Sequence, residues 1–417
     1  APPVQADWRP PGIYRLDTRS QQLTQLQSED PRFHELMRRS YGFRAAATHA
    51  GLVFMAATPI GLTRAEVYLF AIEAATGRLV DVAVLPGYLN VREMRVLAHA
   101  DGSAALYMLA GPEIFPGPSA NHLLRWRGTA AAPFSGGSAP TPGWEVVGDL
   151  QGVGIGVSLL AFDERILLST WPSAAQPAGL YEAHMPAAGF SAALPARFSK
   201  LLDATQLEAD PVVARTWLLS PLAQHEGWFY WGTMHPTGMS HQALSAVYPA
   251  LKGDEESIRK SHRRASLYRS RFDGKGQLVT ELLYGEARQW AYARPQGSMT
   301  GGSAGPASGG SSGGAAGGST GLPAGSPAGT WQLQAPALAL APRHGASGFG
   351  ETFLDYVWTF ATWQGSLVVG TFDVSGGVQT LMRENADAVK SSVLSIIGSA
   401  AAPESLHPGF DLYRLDP

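Results

Sequence analysis

A short apolar segment ending in Tyr and usually followed by Arg recurs along this chain, and its spacing constrains the fold more than any other feature. It reads Gly-Ile-Tyr-Arg-Leu-Asp at Tyr14, Val-Tyr-Leu-Phe at Tyr68 and Leu-Leu-Arg-Trp at Leu124. It returns as Gly-Leu-Tyr at Tyr181, Ser-Leu-Tyr-Arg at Tyr268 and Asp-Leu-Tyr-Arg-Leu-Asp at Tyr413. The first four copies lie about 55 residues apart, a period that marks stacked supersecondary units. Such units cannot bury their apolar faces alone, so the architecture follows from how neighbours cover one another.

A second pattern precedes each of the last five copies. It is an apolar strand, a short turn with Gly or Asp, and a strand ending in Gly, Ala or Ser followed by Thr. The clearest instances run from Val357 to Thr371 and from Trp217 to Thr233, with others at Phe43 to Thr58, Met94 to Gly111 and Val157 to Thr170. Apolar and polar residues alternate on both sides of each turn, which is the hairpin signal. After each Tyr strand comes a further turn and strand, as where Asp273-Gly274-Lys275-Gly276 leads into Gln277–Leu283. Four antiparallel strands per unit describe a β-propeller. The phrase Trp363-Gln364-Gly365-Ser366-Leu367-Val368-Val369-Gly370-Thr371 resembles the inner hairpin of many bacterial propeller repeats. That resemblance is to the superfamily in general, since the Kelch double glycine and the WD dipeptide are absent. Six Tyr strands and five inner hairpins predict one all-β propeller domain over residues 1–417, of six blades, with five or seven as alternatives.

Extra length falls in insertions. One is 236–264, whose charged part Asp254–Arg264 reads as a helix. A Gly/Ser/Ala/Pro-rich run over 297–330 reads as a flexible exposed loop. Residues 385–397 read as an inserted helix with Ala388, Val389, Val393 and Ile396 on one face. Gln289–Arg294 and Trp331–Leu340 read as a degenerate blade. The strand at Tyr14 is expected to complete the last blade and cover its open edge.

Composition removes whole classes of function. Net charge is −3, which gives no basic footprint for nucleic acid. No apolar run reaches the ~18 residues of a membrane helix. With Cys 0 there are no disulfides, thiolate nucleophiles or zinc ribbons. Charged residues make up only 16%, and the stretch from Pro295 to Pro342 contains none of them. The opening Ala-Pro-Pro is that of a chain after removal of a signal peptide, so an extracytoplasmic location, periplasmic or secreted, is expected. There is no Gly-x-Ser-x-Gly elbow, Walker loop or calcium loop. The alternating glycines at Gly152, Gly154 and Gly156 lead into a strand rather than a helix, the wrong context for a dinucleotide.

In a four-stranded blade, the loop after the second strand and the link into the first strand open onto one face of the ring. Function usually lies on such loops. They gather Glu113, Trp171, His235 and Asp373 from one set and Arg44, Arg92, Glu93, Arg215 and Asp355 from the other. Trp171, Glu113, Arg44, Arg92 and Arg215 are the candidate ligand-binding residues, since a polar ligand needs that mixture of charge and aromatic surface. His235, Asp355 and Asp373 are the candidate acid/base groups, with turn capping as the plain alternative for each Asp. Met234, His235, Met239 and His241 form a sequence that could hold copper or zinc, or could pack and hydrogen-bond locally. No cofactor is specified.

Two functions remain. The first is a propeller that binds a small polar ligand, a glycan or a protein partner at the channel mouth or on its inserted loops. The second is a propeller hydrolase or lyase acting on a glycan or other polar substrate through His235 and a carboxylate.

Overall fold

A computed structural model describes residues 9–60, 65–113, 119–137, 141–236, 238–293, 329–375 and 409–415. The chain is an all-β propeller of antiparallel sheets arranged in sequence order. The first sheet contains Ser40–His49, Leu52–Pro59, Glu66–Glu73 and Leu79–Pro86. The second contains Asn90–Ala98, Ala104–Gly111, His122–Trp126 and Trp144–Asp149. The third contains Ile155–Phe162, Arg165–Trp171, Gly179–His184 and Ser199–Asp203. In the fourth, Ala223–His225, Trp228–Met234, Leu267–Phe272 and Leu278–Tyr284 pair in order, and Leu218–Leu219 extends the inner strand. The fifth has Leu354–Trp363, Ser366–Asp373 and Leu412–Leu415. The fourth and fifth are joined into one sheet by the pairing of Met234 with Tyr356. All five inner hairpins and all six repeat segments fall on strands.

The hairpins form because their turns suit the twist of the strands they join. Ala50-Gly51, Glu226-Gly227 and Gln364-Gly365 each place two successive residues at positive φ, the two-residue turn that matches a right-handed strand twist. Sheets stack because both faces of a blade are apolar. In Glu66–Glu73, Val67, Leu69 and Ala71 pack toward the second sheet. Tyr68 and Phe70, alternating with them, pack toward Phe33, Leu36 and Met37. Those three residues belong to the helix Pro31–Arg39, which Asp30 caps by accepting a hydrogen bond from the Arg32 amide at 2.8 Å.

This N-terminal layer departs from the expected ring closure. Tyr14–Asp17 does not join the last sheet but pairs with Gln22–Gln25 as a separate ribbon. Ile13 and Leu26 beside it pack on the first sheet, where the helix also lies. The alternation at Tyr14 specifies a strand, whereas its partner depends on the nearby Gln22–Gln25 segment, which closes a far shorter loop than the last blade would. On the fifth sheet, Trp358 and Leu412 are 51% and 66% exposed.

The insertion at 236–264 is helical, as Met239–Val247 and Glu255–Ser261. Gln289–Ala293 and Thr330–Gln334 pair as a two-stranded ribbon rather than a blade. The loop expected over 297–330 (apart from its last two residues) and the helix expected over 385–397 lie outside the described residues.

Hydrogen bonds, most of them from side chains, stitch the sheets together. Glu93, in the second sheet's inner strand, accepts from the Leu159 amide and, at 3.2 Å, from the Ser158 hydroxyl of the third. The same Ser158 oxygen accepts from the Leu222 amide at 3.1 Å, beside the fourth sheet's inner strand. Trp171 Nε1 donates to the Leu219 carbonyl at 2.9 Å, and the His235 amide donates to the Asp355 carbonyl at 2.9 Å.

The fourth and fifth sheets meet at Gly232. A Cβ there would lie 2.5 Å from the Cβ of Val357, so only glycine admits this approach. Gly232→Ala should therefore cost about 1–3 kcal/mol, as overpacking does. Denaturant unfolding checks this, and an unchanged midpoint would refute the tight junction.

Candidate functional site

Inner strands in four of the five sheets carry a β-bulge in the half of the strand expected to open on the channel mouth. The register shifts between Phe43 and Ala45, between Val91 and Glu93, between Gly156 and Ser158, and between Val357 and Thr359. The residues set out of register are therefore Arg44, Arg92, Val157 and Trp358. Each lies opposite the small-residue end of its second strand, within about one residue of the same place in the repeat. A bulge adds a residue, bends the strand and re-aims a side chain, and bulges cluster beside functional sites. Two of the expected ligand residues, Arg44 and Arg92, are thus delivered by one recurring backbone device.

Arg92 is the centre of this group. Its side chain is 4% exposed and donates through NH2 to Glu113 Oε2 at 2.6 Å. Glu113 Oε1 accepts from the Asn90 side-chain amide. The Arg92 guanidinium lies 3.6 Å from the centroid of the Trp171 ring, a cation–π contact in a desolvated place. Burial lowers the Arg92 pKa to about 10, with Glu113 opposing the shift and the nearby Arg44 charge adding to it. Arg44 itself is exposed. The structure therefore brings Arg92, Glu113 and Trp171 into contact, with the Arg44 charge felt at Arg92 from the neighbouring sheet. Asn90, which no sequence pattern singled out, joins them because it starts the same inner strand two residues before Arg92.

Trp171 also packs with Ile155, Val157, Leu218 and Met234, and with Tyr356 at the edge of the cluster. This is an apolar plug contributed by the third, fourth and fifth sheets. Arg215 is exposed on the short turn Val213–Thr216. Glu93, also expected at the mouth, is buried between sheets, where burial raises its pKa.

The candidate acid/base groups occupy a second, sealed cluster. Asp355 is 0% exposed, and its Oδ1 lies 3.6 Å from His262 Nε2, which also donates to the Thr352 carbonyl at 2.9 Å. His235 Nε2 is 2.8 Å from the Thr233 hydroxyl, and its ring meets Trp217 edge-on at 5.0 Å. His262 was missed in the sequence because it sits in a basic run that resembles a solvated helix face. Asp373 accepts a hydrogen bond from the Ser375 amide at 2.7 Å, the turn-capping use of a short Asp side chain.

The Met/His sequence is divided among separate partners. Met234 is in the apolar plug, and Met239 begins the inserted helix Met239–Val247. His241 lies 3.3 Å from each of the Ser257 and Ser245 hydroxyls. No group of three or more His, Asp or Glu suited to a metal occurs among the described residues. No helix among them is long and apolar enough to cross a membrane.

No family model and no curated protein sequence matches the chain. Several solved structures are similar in fold. The β-propeller domain of the Trilobed protease from Pyrococcus furiosus aligns at TM-score 0.32 and 11% identity, covering 68% of this chain and 67% of that one. A GH43_1 enzyme from Xanthomonas citri, complexed with xylotriose, aligns at 0.31 and 14% identity, covering 62% and 82%. A GH43 endo-arabinanase from Bacillus licheniformis aligns at 0.30 and 10% identity, covering 79% and 87%. Likeness at this level carries nothing about the site, which rests on the chain's own side chains.

The buried histidines make the junction of the fourth and fifth sheets acid-sensitive. Burial lowers the His262 pKa to about 4, and that of His235 falls for the same reason, helped by the neighbouring Arg263 and His262 charges. Between the ordinary value near 6.5 and the folded value, the unfolded chain binds protons that the folded chain refuses. Stability is therefore complete above about pH 6.5 and declines as pH falls toward 4. Chemical denaturation should show a loss of about 2 kcal/mol between pH 7 and pH 5, reduced in His262→Asn. Equal stability at both pH values would contradict the sealed-histidine geometry.

Proposed function

We propose that this chain is a binding propeller that takes a small polar ligand or the end of a glycan at its channel mouth. One observation carries the reading: four inner strands bulge at corresponding places and thereby direct Arg44, Arg92, Val157 and Trp358 into one level of the repeat. Bulges weaken the ladder locally, and a recurrent weakness that aims guanidinium and indole groups suits recognition. Trp358 offers an exposed ring for stacking against a sugar. Two charged groups and two apolar groups then share one level of the repeat, a mixture that suits a pocket for a polar ligand.

Binding is favoured over hydrolysis by the state of the carboxylates. A glycosidase needs two carboxyl groups that reach its substrate. Here Asp355 is sealed, Asp373 caps a turn, Glu113 is paired with Arg92 and Asn90, and Glu93 joins two sheets.

A thermal-shift screen of neutral sugars, acidic sugars, hydroxy acids and amino acids tests the reading. A ligand at 100 times its Kd should stabilise the chain by about 2.7 kcal/mol. Arg44→Glu should abolish the shift, while Lys275→Glu, in the turn at the opposite end of the fourth sheet, should preserve it. No shift with any compound would refute binding at the mouth, as would equal sensitivity to both substitutions.

A further inference from the structure

The hydrogen-bonding state of Asn90 and Arg92 specifies the ligand further, on the reading of the mouth as a binding site. Asn90 and Arg92 hold the two oxygens of Glu113 from two sides, so the cluster is built as a carboxylate clamp. The resident carboxylate leaves the clamp unsaturated. Among the described residues, Arg92 Nε is buried with no hydrogen-bond partner, and so is Asn90 Oδ1. A buried polar atom in this state costs roughly 1–3 kcal/mol, and here two of them, one donor and one acceptor, sit on the two residues that hold one carboxylate.

Charge points the same way. Arg44 lowers the Arg92 pKa through its like charge, and Glu113 supplies one negative charge against the two guanidiniums. Among the described residues, this cluster therefore carries a surplus positive charge. The vacant donor, Arg92 Nε, calls for an acceptor, and a carboxylate or phosphate oxygen is the strongest available. The vacant acceptor, Asn90 Oδ1, calls for a donor, which an anion does not offer but an adjacent hydroxyl does. Trp358 is exposed at the corresponding bulge of the fifth sheet, where it adds an apolar face of the kind that stacks on a sugar ring.

From these features we infer that the ligand is a polyhydroxylated anion, an acidic sugar or a sugar phosphate, whose charged group is held by Arg92 and Arg44 and whose neighbouring hydroxyl donates to Asn90. Because Arg92 Nε is closed to solvent, the incoming anion enters by drawing Arg92 away from Glu113. Glu113 thus acts as an internal competitor for the clamp.

Isothermal titration of the full chain at low ionic strength with D-galacturonate, glucose 6-phosphate and glucose tests this. At least one of the two anions should bind at least tenfold more tightly than glucose. Arg44→Ala, at an exposed position, should weaken that anion about tenfold, whereas Glu113→Gln should strengthen the anion. Binding of galacturonate alone assigns a carboxylate, and binding of glucose 6-phosphate alone assigns a phosphate; either supports the inference. Equal affinities for all three probes, unaltered by Arg44→Ala, would overturn the anion and leave mouth binding standing. So would silence from all three when a neutral compound from the wider screen binds with sensitivity to Arg44→Glu. Failure of every compound in the wider screen would instead remove the binding reading itself.

Discussion

Glu93, Ser158 and the Leu222 amide form one continuous hydrogen-bonded chain, from the second sheet's inner strand through the third's to the residue just before Ala223–His225, and the alignment of neighbouring sheets depends on such bonds. Blades packed only by apolar faces can slide, because the hydrophobic effect has no direction. A buried carboxylate bonded to a backbone amide of the next blade cannot slide without losing bonds worth more than neutral ones. Its position beside Arg92 in the same strand means that fixing the blade interface also fixes the bulge. The Trp171 indole then locks the third sheet to the fourth, while its ring supports the Arg92 guanidinium. Rigidity and recognition share side chains here.

Much of this architecture is legible in the sequence because a strand's side chains alternate and a tight turn needs residues tolerant of positive φ. The five inner hairpins and the Tyr strands follow from those two local rules. Strand partnership is different. Tyr14–Asp17 carries the same signature as the third strands, yet it pairs with Gln22–Gln25. Nothing in a four-residue strand encodes which edge it will meet, and a nearby partner costs less loop entropy than a distant blade. The Trp331 segment likewise reads as part of a blade but pairs only with Gln289–Ala293, because its side chains reach the insertion: the Trp331 ring packs on Tyr292, and Tyr292 on Tyr248.

The site was legible to the extent that it lies at fixed offsets along the inner hairpins. Arg44, Arg92, Glu113 and Trp171 were found from their offsets to the hairpins. Asn90 and the bulges were not, since a bulge is a property of pairing and leaves no composition of its own. Burial was equally invisible. His235 and Asp355 look like acid/base groups in a sequence, but the inserted 236–264 segment brings His262 over Asp355 and closes the cluster. A further example is Glu208, whose carboxylate is grasped by both Nε and NH2 of Arg263, at 2.7 and 2.8 Å, and by the Trp217 indole at 3.0 Å.

These two polar clusters differ in a way that separates structural from functional chemistry. Around Glu208, a carboxylate meets four donors, the fourth being the Asp210 amide at 3.0 Å, and the remaining Arg263 donors reach the Lys260, His262 and Trp290 carbonyls. That network is saturated in hydrogen bonds, the condition under which a buried ion pair holds a fold together. At Arg92 the same ingredients leave, among the described residues, a surplus positive charge and two buried polar atoms without a partner. A chain able to saturate Arg263 had the means to saturate Arg92, for instance with an acidic residue at position 44 in place of the exposed arginine. Placing a second cation there instead adds like-charge repulsion at Arg92, which an anion bound between the two guanidiniums would offset.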